Sequence, residues 1–231
     1  MDINIRNLWR VEIGGFEIWI TQTVFNTWLI MLFLILGAII LRLCLRKMDE
    51  KPRGVQNVAE AIVESFGSFV KSTAGERASF VGAWFFMVFL FILTSNVSGA
   101  IGLRPPTADW ATTFALAVAT LVLIQVAGIY SRGPGYLLDF FKPMPIGLLF
   151  FPLNIIGELA RPVSLSLRLF GNVLAGLIIM TLLYTLAPVP ARIGLPVFLH
   201  IYFDVFMGFL QTYVFCALSL AFISSAMGEE V

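Results

Sequence analysis

Long apolar stretches separated by short polar segments dominate the chain. The first stretch, residues 24–41, contains no charged side chain. A helix of about 20 apolar residues is long enough to cross the roughly 30 Å hydrocarbon core of a bilayer. This pattern predicts a first transmembrane helix over residues 24–41. A basic cluster follows it at once, formed by Arg42, Arg46, Lys47, Lys51 and Arg53.

Two further stretches, residues 80–103 and 111–130, predict a second and a third span joined by a short loop. The second span is interrupted near its end by the polar pair Ser95 and Asn96. The segment SRGPG, which follows residue 130, ends the third span because glycine and proline break helices.

Two longer apolar stretches complete the chain, at residues 146–188 and 195–224, separated by the predicted loop LAPVPARIG. A straight helix over the first of them would be about 60 Å long at about 1.5 Å per residue. Since this is twice the hydrocarbon thickness, the stretch must be strongly tilted or folded as a hairpin within the membrane. We predict that it pairs with residues 195–224 in a tilted helix hairpin.

Residues 55–72 follow a different pattern. Val58, Ile62, Phe66 and Phe69 recur at helical spacing, and polar residues such as Glu60 fall between them. Such a segment is too polar to span a membrane and is typical of a helix that lies at the membrane surface. We predict an amphipathic helix with a structural role.

Composition strengthens the membrane assignment. Hydrophobic residues make up 59% of the 231 residues and charged residues 13%, and the mean hydropathy is +0.92. Soluble domains contain about 25% charged residues. The predicted fold class is therefore an all-α membrane protein with five to six hydrophobic helices and one amphipathic helix, forming a single multi-pass domain over residues 1–231.

The charge distribution predicts the topology. Basic residues flank membrane helices on the cytoplasmic side, which places the cluster after residue 41 inside and the N-terminus outside. Arg132 and Lys142 after the third span agree with this orientation. An odd number of crossings puts the C-terminus in the cytoplasm. The N-terminus does not resemble a cleaved signal peptide, and the net charge of +1 provides no basic field for nucleic acid.

Histidine and cysteine usage argues against a metal site or a cofactor. Cys44 and Cys216 lie far apart in apolar segments and are typical of ordinary helix packing, and His200 is the single histidine. Its place near a helix start favours a position at the membrane interface over a functional role. The sequence predicts no metal and no cofactor.

A polar stripe runs through the most apolar part of the chain. Arg161, Ser164, Arg168 and Asn172 are spaced by three, four and four residues, which places them on one face of a helix. An arginine at mid-bilayer costs about 2.5–3.5 kcal/mol on insertion scales and stays charged. Arg168 must therefore face water, a carboxylate or both.

Two carboxylates are possible partners within the chain. Glu158 is three residues before Arg161 and can pair with it, but it lies about 15 Å along the helix axis from Arg168. Asp204, in the last span, is the other candidate, and it can also serve as an ion-relay residue or as a helix-packing hydrogen-bond acceptor. Gln211, seven residues further on, lies near mid-span, where it can approach Arg168. Small residues on these helices allow close approach: Gly171, Gly176 and Gly208.

The segment RPVSLSLRLFGNVLAG, residues 161–176, closely resembles the signature of subunit a of F-type ATP synthases of the bacterial type. GLRPPTAD at residues 102–109, LNIIGELARP before the signature, FLQTYVFCALSLAFIS at residues 209–224 and the N-terminal ITQTVFNTW also resemble this family, in its order. The matches cover nearly the whole chain, and the signature is highly specific.

The resemblance implies a non-catalytic stator subunit in the cell membrane that packs against a ring of c subunits. Its further partners would be the b subunits of the peripheral stalk and the remaining ATP synthase subunits. Two half-channels would carry H⁺ or Na⁺ to and from the ring. Arg168 would face the carboxylate of each passing c subunit and block leakage. Asn172 and Gln211 match family positions near that arginine, and Asn96 falls near a polar site on the second span.

The chain departs from the family pattern at two positions. Many bacterial relatives carry glutamate where this chain has Leu177, and histidine where it has Asp204. The acidic group is thus relocated to Asp204, which becomes the candidate for the outer half-channel.

Two alternative functions use other chemistry. One is a stand-alone secondary transporter or channel, which usually has repeats. The other is an intramembrane enzyme, which needs a nucleophile and a base.

Overall fold

The computed structural model describes residues 7–13, 16–45, 54–133, 135–138 and 147–228, which are mainly helical. Within these residues, five helical segments are long and apolar enough to cross a membrane. The predicted all-α membrane fold is thereby confirmed. Residues 46–53, which contain most of the basic cluster, lie outside the described residues, as do Lys142 and residue 146. The five segments are Gln22–Cys44, Glu76–Ile101, Trp110–Arg132, Phe151–Leu186 and Gly194–Met227.

The helices follow the predicted order with small shifts at their ends. Short 3-10 segments form the two ends of the second span, at Glu76–Val81 and Ser98–Ile101, and a third follows it at Pro106–Ala108. The α-helices are α1 Gln22–Cys44, α2 Val55–Ala74, α3 Gly82–Val97, α4 Trp110–Arg132, α5 Gly135–Leu138, α6 Gly147–Leu186, α7 Val189–His200 and α8 Gly208–Met227.

Helix α6 decides between the two alternatives left open for the long apolar stretch. It is one continuous helix of 40 residues that contains Pro152 and Pro162, so a hairpin within this stretch is wrong. A bend in hydrocarbon would leave backbone N–H and C=O groups without partners, whereas a helix pairs them within the segment. A helix of this length, about 60 Å, fits a bilayer only when it is strongly tilted.

The last span begins earlier than predicted. Residues 189–194, which we predicted to be loop, form the first turns of α7, and Pro188 is its N-cap residue. Proline is tolerated at a helix start because the N–H groups there have no partner within the helix. Between α7 and α8 the chain continues as a π-helix, Ile201–Met207. This wider segment carries Asp204 and was not predicted.

The predicted amphipathic segment is helical over its whole length, as α2. Val58, Ile62 and Val63 are exposed, whereas Val70 is buried. Near its C-terminal end, α2 packs against α3 through Phe66 and Phe86, whose ring centroids are 5.2 Å apart. The exposed apolar residues of its first half agree with a helix at the membrane surface.

A β-hairpin that the sequence pattern did not predict precedes the first span. Strands β1 Asn7–Ile13 and β2 Phe16–Thr21 pair antiparallel, with Ile13 opposite Phe16. The intervening sequence is Gly-Gly, a dipeptide favoured in two-residue hairpin turns. The guanidinium of Arg10 lies 5.5 Å from the ring centroid of Trp19 and forms an ion pair with Glu17.

The described chain folds as two compact units. The first unit contains the described residues of Met1–Leu41, Phe89–Thr113 and Arg168–Tyr213, and the second contains those of Arg42–Val88, Phe114–Leu167 and Val214–Val231. In the second unit, large apolar side chains such as Phe85, Phe215 and Leu220 are completely buried. There, the guanidinium of Arg132 donates a 2.8 Å hydrogen bond to the carbonyl of Ser225 and so caps the end of α8.

A buried amide fastens α3 to the start of α8 within the first unit. Asn96, 3% exposed, donates a 3.2 Å hydrogen bond from Nδ2 to the carbonyl of Gly208 and accepts a 2.7 Å bond at Oδ1 from the Thr107 hydroxyl. A Cβ atom at Gly208 would lie 2.8 Å from Cβ of Asn96. Gly208 therefore allows the close approach that the sequence predicted, and Gly176 does the same beside Phe203. At Gly171, by contrast, an added Cβ would meet no described atom within 4 Å.

We expect Gly208→Ala to destabilise the protein because its methyl group would push α8 away from Asn96. Overpacking of this kind costs about 1–3 kcal/mol, and each kcal/mol corresponds to roughly 2–4 °C for a chain of this size. The measurement is the midpoint of thermal unfolding in detergent. Gly37→Ala is the matched control, because nothing lies within 4 Å of its added Cβ. An unchanged midpoint for Gly208→Ala would contradict the tight contact.

Candidate functional site: an exposed arginine and a small cavity lined by Asn172

Arg168 has an exposed side chain in the middle of α6. Among the residues that the structure describes, it forms no hydrogen bond and no ion pair. The two carboxylates that the sequence offered as partners, Glu158 and Asp204, are both engaged by other side chains. The charge of Arg168 is therefore not compensated within the described part of the chain.

The exposure of Arg168 follows from the apolar pattern of α6. Leu165, Leu169 and Met180 are almost completely buried and recur at helical spacing, so they form the packed side of the helix. Ser164, Arg168 and Asn172 are all exposed. Arg161, the first residue of the predicted polar stripe, is partly buried, so the exposed part of the stripe begins at Ser164.

Asn172 connects this stripe to the last span. Its side-chain Nδ2 donates a 2.7 Å hydrogen bond to Oε1 of Gln211, and Gln211 is 6% exposed. Since Asn172 is four residues after Arg168, it lies one helical turn away on the same face. Gln211 therefore contacts the side chain that lies one turn away from Arg168.

A small polar cavity adjoins Asn172 in the first unit. Its volume is about 10 Å³, which is roughly the space that one water molecule requires. Asn96, Asn172 and Asp204 contribute polar side chains to its lining, which is otherwise apolar. The full lining is Asn96, Asn172, Val173, Gly176, Phe203 and Asp204.

Asp204 is held at the wall of this cavity by contacts on two sides. Its Oδ2 lies 2.5 Å from Nδ1 of His200. On the other side the carboxylate lies directly against the backbone of Gly99, where an added Cβ would be 2.9 Å from Oδ1. Asp204 therefore pairs with His200 and not with Arg168.

A second polar cluster lies in the second unit. Arg161 Nη1 is 2.9 Å from Glu158 Oε2, and the Gln125 side chain donates a 2.8 Å hydrogen bond to Glu158 Oε1. The guanidinium of Arg161 also lies 4.9 Å from the ring centroid of Phe222. Glu158 and Arg161 thus form the ion pair that their spacing of three residues allowed.

The structure adds three side chains that the sequence predictions passed over. His200 was assigned to the interface, although its spacing of four residues from Asp204 is the helical signal that could have paired the two. The other two, Thr107 beside Asn96 and Gln125 beside Glu158, come from distant parts of the chain. No local pattern could have found these two contacts.

Comparison with protein families assigns the chain. Residues 24–224 match the family model described as ATP synthase A chain. The chain belongs to this family. The matched region includes all eight residues proposed from the sequence as site residues: Asn96, Glu158, Arg161, Ser164, Arg168, Asn172, Asp204 and Gln211.

Several curated relatives are named ATP synthase subunit a, and the chain matches most of their length. ATP synthase subunit a of Moorella thermoacetica is 39% identical over 208 residues, which cover 89% of this chain and 90% of the relative. The sodium ion specific ATP synthase subunit a of Propionigenium modestum is 35% identical, and the match covers 91% of this chain and 75% of the relative. Subunit a 1 of Syntrophotalea carbinolica is also 35% identical, with 96% of this chain and 91% of the relative covered.

Membership of the ATP synthase A chain family does not favour the alternatives of a transporter or an enzyme. The Ser166 hydroxyl, which could serve such an enzyme as a nucleophile, donates to the Val163 carbonyl of its own helix and not to a base. The described residues also contain no cluster of three or more side chains of the metal-ligating types.

We expect Asn172 and Gln211 to be energetically coupled in this ATP synthase subunit. Side-chain hydrogen bonds between membrane helices contribute about 0.6–1.7 kcal/mol, which corresponds to a factor of roughly 3–20 in a rate. A double-mutant cycle of Asn172→Ala and Gln211→Ala measures this coupling in the rate of ATP synthesis. The double variant should be about as active as the slower single variant. Multiplicative losses would show that the bond is unimportant.

Proposed function

We propose that this chain is the ion-translocating stator subunit of an F-type ATP synthase. In this role it forms two half-channels that carry H⁺ or Na⁺ to and from a rotating ring of c subunits. The observation that carries the proposal is Arg168, a permanent cation exposed on an apolar helix without a partner in the described part of the chain. A stand-alone transporter would need to compensate this charge itself.

A partner carboxylate supplied by another chain resolves the electrostatic problem of Arg168. A guanidinium in the bilayer is stable only beside water or an anion, and arginine cannot lose its proton there. An opposite charge nearby favours the ionised form of a carboxyl group. Arg168 therefore makes a passing c-subunit carboxyl group release its ion and hold the charged form until rotation separates the two.

This interaction also explains how leakage is prevented. The carboxylate that faces Arg168 has no bound ion, so an ion cannot cross directly from one half-channel to the other at that point. The polar cavity lined by Asn96, Asn172 and Asp204 supports the outer half-channel beside Arg168. The group formed by Glu158, Arg161 and Gln125 is our candidate for the inner half-channel.

The remaining parts of the proposal follow from the subunit's role. The chain itself is not catalytic, binds no cofactor and resides in the bacterial cell membrane. Its N-terminus is outside and its C-terminus is in the cytoplasm. Its partners are the c-subunit ring, the b subunits of the peripheral stalk, the other ATP synthase subunits and the lipid bilayer, with no role for nucleic acid.

We expect Arg168→Lys to reduce ATP-driven ion pumping to background although it preserves the charge. The compact ammonium of lysine cannot replace the wide planar guanidinium, which can contact a moving carboxylate through several N–H groups. The measurement is pumping in inverted membrane vesicles. Arg192→Lys is the control: this exposed arginine only donates to the carbonyls of Thr185 and Ala187. Normal pumping by Arg168→Lys would refute the proposal.

We expect Asp204→Asn to lower ion transport at least tenfold while the complex still assembles. The amide keeps the shape of the side chain but cannot take up and release a proton or attract a cation. Transport is measured in reconstituted vesicles, and assembly is measured by copurification of the ATP-hydrolysing head. Unchanged transport would assign Asp204 to helix packing.

A further inference from the structure

We propose that His200 is a proton relay that passes protons between the outer surface and Asp204. This inference rests on the proposed function and extends it, since it adds a residue to the outer half-channel and identifies the ion that this half-channel carries. The geometry points to His200 because its imidazole lies between a tyrosine hydroxyl and the carboxylate at the cavity wall.

The three side chains form a continuous chain of polar contacts within the first unit. Nε2 of His200 is 3.4 Å from the hydroxyl of Tyr184 near the end of α6. Nδ1 is 2.5 Å from Asp204 Oδ2. The side chains of His200 and Asp204 are each 18% exposed, and Tyr184 is exposed. The exposed tyrosine thus marks one end of the path and the cavity marks the other.

The partners fix the roles of the two imidazole nitrogens. An ionised carboxylate only accepts hydrogen bonds, so Nδ1 carries the proton and donates it to Asp204. Nε2 is then an acceptor, and the Tyr184 hydroxyl can donate to it. The nitrogen that faces the outside is therefore free to take up a proton.

One relay cycle is balanced in protons. A proton arriving at Nε2 from water or through Tyr184 converts the ring to imidazolium. The Nδ1 proton then passes to Asp204 Oδ2, so one N–H bond breaks and one O–H bond forms. The neutral ring keeps its proton on Nε2, and Asp204 releases the proton it has received to water in the cavity. Rotation of the His200 side chain about both its Cα–Cβ and its Cβ–Cγ bonds then turns the N–H toward Asp204 and the bare nitrogen outward. Each cycle moves one proton inward.

The surroundings of His200 favour this assignment over packing alone. Gly99 holds the Asp204 carboxylate in place, because no Cβ separates the carboxylate from the backbone of that turn. Among the described residues, Tyr184 and Asp204 are the titratable groups that bond to His200. Arg192, on the same helix, is engaged with the C-terminal carbonyls of α6.

The relay identifies the ion as a proton on the outer side. Hard metal cations take oxygen ligands such as carboxylates and carbonyls, whereas imidazole exchanges protons in the physiological pH range. An imidazole placed ahead of Asp204 serves a proton path and would hinder a sodium path. We infer that the outer half-channel of this chain conducts protons.

Chemical rescue tests the relay in the complete ATP synthase reconstituted in liposomes. Passive proton conduction through the membrane sector is measured after the head has been removed. We expect His200→Ala to reduce conduction at least tenfold, and millimolar imidazole added to the medium to restore a large part of it. His200→Gln, which preserves a polar side chain but cannot relay protons, should be equally defective.

Gly99→Ala is the matched control. Its methyl group displaces the Asp204 carboxylate while His200 keeps its imidazole, so conduction should fall without recovering when imidazole is added. Rescue of Gly99→Ala by imidazole would overturn the proposal, because the recovery would then be unrelated to the missing ring. Normal conduction by His200→Ala or by His200→Gln would overturn it as well.

Failure of this inference is distinguishable from failure of the proposed function. If Arg168→Lys abolishes pumping while both His200 variants conduct normally, the stator assignment stands and the relay is wrong. If His200→Ala is defective but insensitive to imidazole, His200 has only a packing role and the relay is again wrong. If Arg168→Lys pumps normally, the stator assignment itself fails.

Discussion

A permanent positive charge on an apolar helix is the constraint on which the rest of the structure depends. Arg168 cannot be neutralised by losing its proton, and the described part of the chain offers it no anion. The carboxylates that lie nearest in sequence or in the last span, Glu158 and Asp204, are satisfied by Arg161 and by His200. Both of these acids are thus paired while Arg168 stays exposed, which suits the proposed interaction with a passing carboxylate that forms and breaks repeatedly.

Sequence patterns predicted the helices and the ion pair within α6 because both depend on local spacing. The stripe from Arg161 to Asn172 and the ion pair of Glu158 follow from helical periodicity within α6. The contacts of Asn96 with Thr107 and Gly208 could not be predicted, because they join segments that no periodic pattern relates. The π-helix was missed for another reason: apolar spacing around Asp204 is that of an ordinary α-helix, and the wider turn appears only in the folded backbone.

The π-helix at Ile201–Met207 lies where polar side chains of several helices meet. π-helical segments are rare and occur often at functional sites. Here the segment carries Asp204, follows His200 directly and ends beside Gly208. The Gly208 carbonyl accepts hydrogen bonds from the Asn96 side chain and the Thr212 hydroxyl. Polar side chains from α3, α6 and the last span therefore converge where the regular helix is interrupted.

The Asn96 amide has a mechanical consequence. A rotor moving past Arg168 would push α6 sideways with every step, and the stator must resist this torque without shifting. Asn172 ties α6 to α8 through Gln211, and Asn96 ties the start of α8 to α3. In the proposed role, these hydrogen bonds would carry the lateral load from α6 to its neighbours. Two residues that line the cavity, Asn96 and Asn172, thus also hold neighbouring helices together.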